Sequence, residues 1–136
     1  MNDTQCIIAV QNPDNTVTSV VLEHDGDLKF AGRTLENYYQ NYQDVQDLIN
    51  LGDLKSLGDD VTKTYAYFRD GHEDDLIFET YHDTEVFDRA TESLDDYVDY
   101  CYLYCKYEGN FQWLVRDLSS EKKRFESLKK VLRKVK

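Results

Sequence analysis

Tyr100-Cys101-Tyr102-Leu103-Tyr104-Cys105-Lys106-Tyr107-Glu108-Gly109-Asn110-Phe111-Gln112-Trp113-Leu114-Val115 is the stretch on which the fold turns. Asp95 to Tyr107 and Phe111 to Val115 are rich in aromatic and apolar residues, and Glu108-Gly109-Asn110 separates them. Two such runs joined by a short glycine-containing loop read as a β-hairpin. Successive strand residues face opposite ways, so Tyr100, Tyr102 and Tyr104 share one side and Cys101, Leu103 and Cys105 the other. Both sides are largely apolar, so the strand is expected to be covered on both.

A second apolar run, Gln5 to Val10, is β-branched and reads as a central strand. Asn12-Pro13-Asp14-Asn15 is a turn by chemistry, because Pro fixes φ and Asn and Asp tolerate left-handed backbone. Thr16 to Glu23 then forms the other arm of an N-terminal hairpin, which Asp25-Gly26-Asp27 ends. Beyond Gly32, Leu35, Tyr38, Tyr39 and Tyr42 fall at helical spacing, with Thr34 as the expected cap. A further helix is expected over Asp44 to Asn50, with Asp44 as cap and Gly52 at its left-handed end. Leu54, Leu57 and Gly58 read as a buried turn. Thr62 to Phe68 reads as a strand, Leu76 to Tyr81 as a short one, and Glu85 to Ala90 fits either helix or strand.

The C-terminal stretch 119–136 reads as a basic amphipathic helix, capped at Ser119 or Ser120, with Phe125, Leu128, Leu132 and Val135 on one stripe. The expected architecture is α+β. A single domain spans 1–136, built as an antiparallel sheet with helices on one face and this helix at the end. No repeat or linker interrupts it.

Charge divides the chain near residue 118. Residues 1–118 carry 8 Lys/Arg and 25 Asp/Glu, a balance of −17, whereas 119–136 carry 8 Lys/Arg and two Glu, a balance of +6. A body so acidic repels nucleic acid and membrane phosphate and attracts basic partners. Direct nucleic-acid binding is therefore not expected. The longest apolar run is too short to span a bilayer, and the first residues lack the basic start of a signal peptide. A cytoplasmic protein with reduced thiols is expected.

Candidate chemistry is sparse. Cys6, Cys101 and Cys105 are odd in number, and Cys101/Cys105 lacks zinc-knuckle spacing. No metal site and no cofactor are expected, and no Gly-rich phosphate loop or nucleophile elbow is present. His24-Asp25 and Arg69-Asp70 each follow a strand. If the strand ends meet, the four side chains would form a cluster able to hold a phosphate or move protons, though turn chemistry explains the same residues more simply. The other candidate is the acidic surface: Asp44, Asp47, Asp53, Asp59, Asp60, Glu73, Asp74, Asp75, Asp83, Glu85, Asp88, Glu92, Asp95, Asp96 and Asp99. Dense carboxylates keep a small protein soluble, and they also imitate DNA phosphates in a nucleic-acid-binding groove.

From residue 16 to about 116 the order of motifs resembles a family of small uncharacterised accessory proteins of tailed bacteriophages and related mobile elements. The carrying residues are Thr16-Val17-Thr18-Ser19-Val20-Val21, His24-Asp25-Gly26 and Gly32-Arg33-Thr34-Leu35. They continue with Leu48-Ile49-Asn50-Leu51-Gly52-Asp53-Leu54-Lys55-Ser56-Leu57-Gly58, then Thr64-Tyr65-Ala66-Tyr67-Phe68-Arg69-Asp70. The chain departs from the pattern in lacking a Trp between His24 and Asp25 and in carrying Phe68 where the family has His. The resemblance carries no known activity over to this chain. It implies a phage accessory protein acting in the host cytoplasm, which binds and inhibits or diverts a host protein; the acidic charge of the body adds the expectation that the partner has a basic or nucleic-acid-binding surface. The alternative is a small-ligand or nucleotide-binding protein or enzyme built on His24, Asp25, Arg69 and Asp70. A homodimer through the C-terminal stripe is left open.

Overall fold

A computed structural model describes residues 2–121 and 124–135. It shows an α+β fold with one mixed sheet of eight strands. The strands are β1 (Cys6–Gln11), β2 (Val17–Leu22), β3 (Leu54–Ser56), β4 (Tyr65–Ala66), β5 (Glu79–Tyr81), β6 (Tyr100–Tyr107), β7 (Asn110–Asp117) and β8 (Glu126–Ser127). The helices are α1 (Arg33–Tyr38), entered through a π turn at Leu28–Gly32, α2 (Tyr42–Ile49), α3 (Thr84–Thr91) and α4 (Leu128–Leu132). The sheet order is β4-β3-β2-β1-β6-β7-β8, with β5 also on β2.

The sheet is mixed rather than antiparallel. β1 pairs antiparallel with β2 but parallel with β6, from Cys6↔Tyr100 to Val10↔Tyr104. The run Cys6–Val10 is apolar on every residue and buried throughout, as suits a strand covered on both faces. The β6–β7 hairpin turns on Glu108 (φ 51°) and Gly109 (φ 89°), with Tyr107 opposite Asn110. Two positive φ values in a two-residue loop match the right-handed twist of the strands it joins.

Two core clusters lie on opposite sides of the sheet. Cys6, Ile8, Val10, Tyr102, Tyr104, Trp113 and Val115 meet Leu35, Tyr39, Val45, Leu48, Ile49 and Leu128 from α1, α2 and α4. Ile7, Ala9, Cys101, Leu103, Cys105 and Leu114 meet Phe87 of α3, with Val98, Leu118 and Phe125. Helices therefore flank both faces, which corrects the expectation of one. The buried rings carry polar tips, and each tip finds a carbonyl. The hydroxyls of Tyr102, Tyr104 and Tyr39 donate to Gly26, Gln40 and Gly58 at 2.9, 3.1 and 2.8 Å. Trp113 Nε1 donates to Tyr39 O at 2.9 Å.

The C-terminal expectation is revised most. Helix α4 covers only Leu128–Leu132 and is capped by Ser127, whose hydroxyl accepts from Lys130 N at 3.4 Å. Glu126 and Ser127 add a strand to β7. Phe125 consequently points to the second core cluster and Leu128 to the first, so they do not share a stripe. Lys122, Lys123 and Lys136 of the expected helix lie outside the described residues. Among the described residues no helix is long and apolar enough to cross a membrane.

Smaller revisions have local causes. The cap of α2 is Asn41, not Asp44: its side chain accepts from Asp44 N at 2.9 Å while its amide donates to the Asp44 carboxylate at 2.8 Å. The ambiguous stretch near residue 85 is helix α3, started by Asp83, whose carboxylate accepts from Val86 N at 2.8 Å. Thr62 to Phe68 contributes only β4, and Leu54, expected in a turn, opens β3.

Candidate protein-binding surface

Strand β2 shares one edge between two partners. β3 meets it at Leu22↔Leu54, and β5 meets it over Val17–Ser19. Asp53 fills the gap between them. Its carboxylate accepts from Val21 N at 2.9 Å, where a neighbouring strand would otherwise supply a carbonyl. Its own N–H donates to Ile77 O at 3.0 Å, and its carbonyl accepts from Tyr67 N at 3.2 Å. Burial pushes the Asp53 carboxyl above its ordinary range, against the lowering effect of the Val21 bond. Gly52 makes the approach feasible. Its φ is +78°, and a Cβ there would stand 2.7 Å from Leu76 Cδ1 and 3.0 Å from Ile77 O.

Gly52 and Asp53 thus fasten the segment between β4 and β5 onto the sheet edge. That segment begins with a compact turn. Asp70 accepts from Ala66 N at 2.8 Å, and His72 N and Glu73 N both donate to Tyr67 O, at 2.8 and 3.1 Å. Residues 71–80 are exposed throughout. Phe68, Leu76, Ile77 and Phe78 are each 41–47% exposed, which is unusual for four large apolar side chains within eleven residues. Phe68, Ile77, Glu73 and Asp75 line one small crevice with Asp53 and Tyr67. The result is an apolar strip interleaved with Glu73, Asp74, Asp75 and Glu79 on a backbone pinned at both ends.

The other anticipated residues fall as follows. Asp44 and Asp47 are exposed on α2, bonded to Asn41 and Gln43. Asp59 is exposed, and Asp60 holds the Thr62 turn, whose hydroxyl keeps the Asp60 carboxyl below its ordinary range. Asp95, Asp96 and Asp99 are exposed around Val98, which packs on the second core cluster, whereas α2 packs on the first. The carboxylates are therefore shared between the two sides of the sheet. Asp53 and Asp83 leave the surface set, being half-buried in structural bonds. Asp88 pairs with Arg116, which is buried, donates also to Asp88 O and Thr91 Oγ1, and lies over the Phe125 ring.

His24 and Asp25 stay together at the entry to β1. His24 Nδ1 lies 3.2 Å from Asn2 O and 3.3 Å from the Asp3 carboxylate, and Asp25 accepts from Asn2 N at 2.8 Å. Arg69 and Asp70 form their own pair and brace the loop before β4, Arg69 donating to Val61 O at 2.6 Å and to Thr64 O. The two pairs share no hydrogen bond, ion pair or pocket among the described residues, so the structure does not assemble the four into one site. Among the described residues no group of three or more His, Cys, Asp or Glu is placed to hold a metal ion.

No family model, curated protein or solved structure matches the chain. The functional reading therefore rests on the geometry. What the residues alone did not reveal is the apolar strip. Leu76 to Tyr81 reads as a short strand, but β5 covers only Glu79–Tyr81 and leaves Leu76, Ile77 and Phe78 exposed.

Proposed function

We propose that this chain is a binding protein, encoded by a phage or related element, that inhibits or modulates a host protein in the host cytoplasm. The observation that carries the reading is the pinned, acidic and apolar strip at Phe68 and Glu73–Glu79. Protein interfaces combine a desolvated apolar centre with a polar rim, and this strip supplies both. The rim and the body around it are negative, so the matching surface is basic with an apolar centre. The resemblance to phage accessory proteins, carried in part by Leu51-Gly52-Asp53-Leu54, supports the same context, since Gly52 and Asp53 are the residues that fasten the strip. Where the partner's basic surface ordinarily holds nucleic acid, the chain competes with it as a mimic. The apolar strip favours contact with protein over simple phosphate imitation.

The test is capture of partners from bacterial lysate with the intact chain beside two variants. One carries Ile77→Ser and Phe78→Ser; the other replaces Glu73, Asp74 and Asp75 by Gln, Asn and Asn. The same host protein should be retained by the intact chain and lost by the first variant. The second variant should retain it weakly, and raised salt should weaken the intact complex by screening the charges. Retention of every captured protein by both variants would place the contact elsewhere and end this reading.

A further inference from the structure

The chain holds 27 Asp and Glu, yet one groove has none in its lining. It lies where the β1–β2 turn meets the end of the β6–β7 hairpin, has a volume of about 420 Å³, and is lined by Gln11, Asn12, Pro13, Asn15, Tyr42, Lys106 and Phe111. That volume falls in the range of small-molecule sites. Its apolar part is aromatic. The Tyr42 and Phe111 rings meet edge to face at 5.3 Å, and Phe111 stacks on Tyr104 at 5.7 Å.

The groove is already formed. Tyr42 donates its hydroxyl proton to Gln11 O at 3.0 Å and accepts from Gln46 Nε2 at 2.9 Å. Gln11 Oε1 accepts from Lys106 N at 3.0 Å, and Gln11 Nε2 donates to Asn15 Oδ1 at 3.4 Å. Asn12 donates to the hydroxyls of Thr16 and Thr18 and accepts from Gln46. These bonds fix the walls in advance, which lowers the ordering cost of binding. Two donors remain uncommitted: the Asn15 amide nitrogen and the Lys106 ammonium, which makes no ion pair among the described residues.

We infer that this groove binds a planar aromatic ring bearing an anionic group, of the type of a nucleoside monophosphate. The ring stacks against Phe111 and Pro13, and the anion sits at Lys106 and Asn15. A flat π system suits the aromatic wall, and an ammonium in a groove free of carboxylates suits one compact anion. A long nucleic-acid strand is disfavoured, because its further phosphates would meet the acidic body. This site is separate from the acidic strip, and it stands or falls independently of the partner proposed above.

Amide NMR titration of the intact chain tests it, with AMP, adenosine and inorganic phosphate as probes. AMP should give saturable shifts at Gln11, Asn15, Lys106 and Phe111. Adenosine should give the same pattern roughly tenfold more weakly, the loss of one charge-assisted bond. Lys106→Gln should bring AMP down to adenosine, and Phe111→Ala should abolish both, while far-UV circular dichroism shows each variant folded. AMP shifting nothing beyond what phosphate shifts would overturn the inference. So would saturation mapping to other residues, or Lys106→Gln leaving the preference for AMP intact.

Discussion

Replacing Gly52 by Ala probes the fastening of the acidic strip. At φ +78° an L side chain is strained by about 1–2 kcal/mol. The new methyl would also stand 2.7 Å from Leu76 Cδ1 and 3.0 Å from Ile77 O. Leu76 is the end of a flexible, exposed side chain and swings aside cheaply. The Ile77 carbonyl is backbone, and moving it strains the bond it accepts from Asp53 N, worth about 1 kcal/mol. Together these give a destabilisation of about 2–3 kcal/mol. Urea denaturation reads it as a midpoint lowered by about 1 M at unchanged slope. Adding Leu76→Ala should recover less than about 0.5 kcal/mol, since the costly contact is with backbone. Gly52→Ala within about 0.5 kcal/mol of the parent chain would refute the reasoning. So would recovery of most of the loss by Leu76→Ala, which would place the clash on the side chain.

Other expectations follow from the same contacts. Asp53→Ala should cost about 0.5–1.5 kcal/mol, the net worth of the hydrogen bond that Val21 N–H loses, whereas Asp53→Asn keeps an oxygen there and should cost less, as paired urea titrations would show. Because burial raises the Asp53 carboxyl in the fold, its protonated form is favoured there. Its contribution to stability is present at acidic pH and lost as pH rises through the raised value, and Asp53→Asn should flatten that part of the profile. Leu128→Ala should cost about 2–5 kcal/mol, the side chain being fully buried between α4 and the sheet. Thermal melts of this variant and of a chain ending at Leu118 both matching the parent would make the C-terminal segment an independent arm. Burial pushes the thiols of Cys101 and Cys105 up to about 12 and about 11, so a disulfide exchange reagent should label neither at neutral pH. As both are raised above the unfolded value, their contribution to stability is complete below that value. It should fall as pH rises through about 9 toward 11–12, visible as alkaline loss of stability.

The parts of the fold legible in the residues are those with local signals. Glu108-Gly109 between aromatic runs announces a hairpin whose first strand is apolar on both faces, and the apolar Cys6–Val10 announces a central strand. Helix α3 is hard to read locally because its apolar residues are few; the informative residue is its cap, Asp83. The C-terminal stripe misled because 125–127 follow a non-local rule: pairing of Ser127 with Leu114 outweighed helical spacing. The candidate surface was half legible. Its charge is plain from Glu73-Asp74-Asp75. Its exposed apolar side chains are not, because exposure depends on β3 and β5 dividing the edge of β2, a tertiary fact no local pattern carries.

The parallel pairing of β1 with β6 sets an order of events during synthesis. The first hairpin can close as soon as residue 22 has emerged, but it then shows apolar side chains on both faces. Its central partner begins at Tyr100, far along the chain from residue 22. Contacts so distant along the chain are slow to form, because the loop must close before they repay it. Until Tyr100 and the residues after it have been made, the β1–β2 hairpin lacks its cover, and that is the interval in which it is most exposed to chaperones and to aggregation.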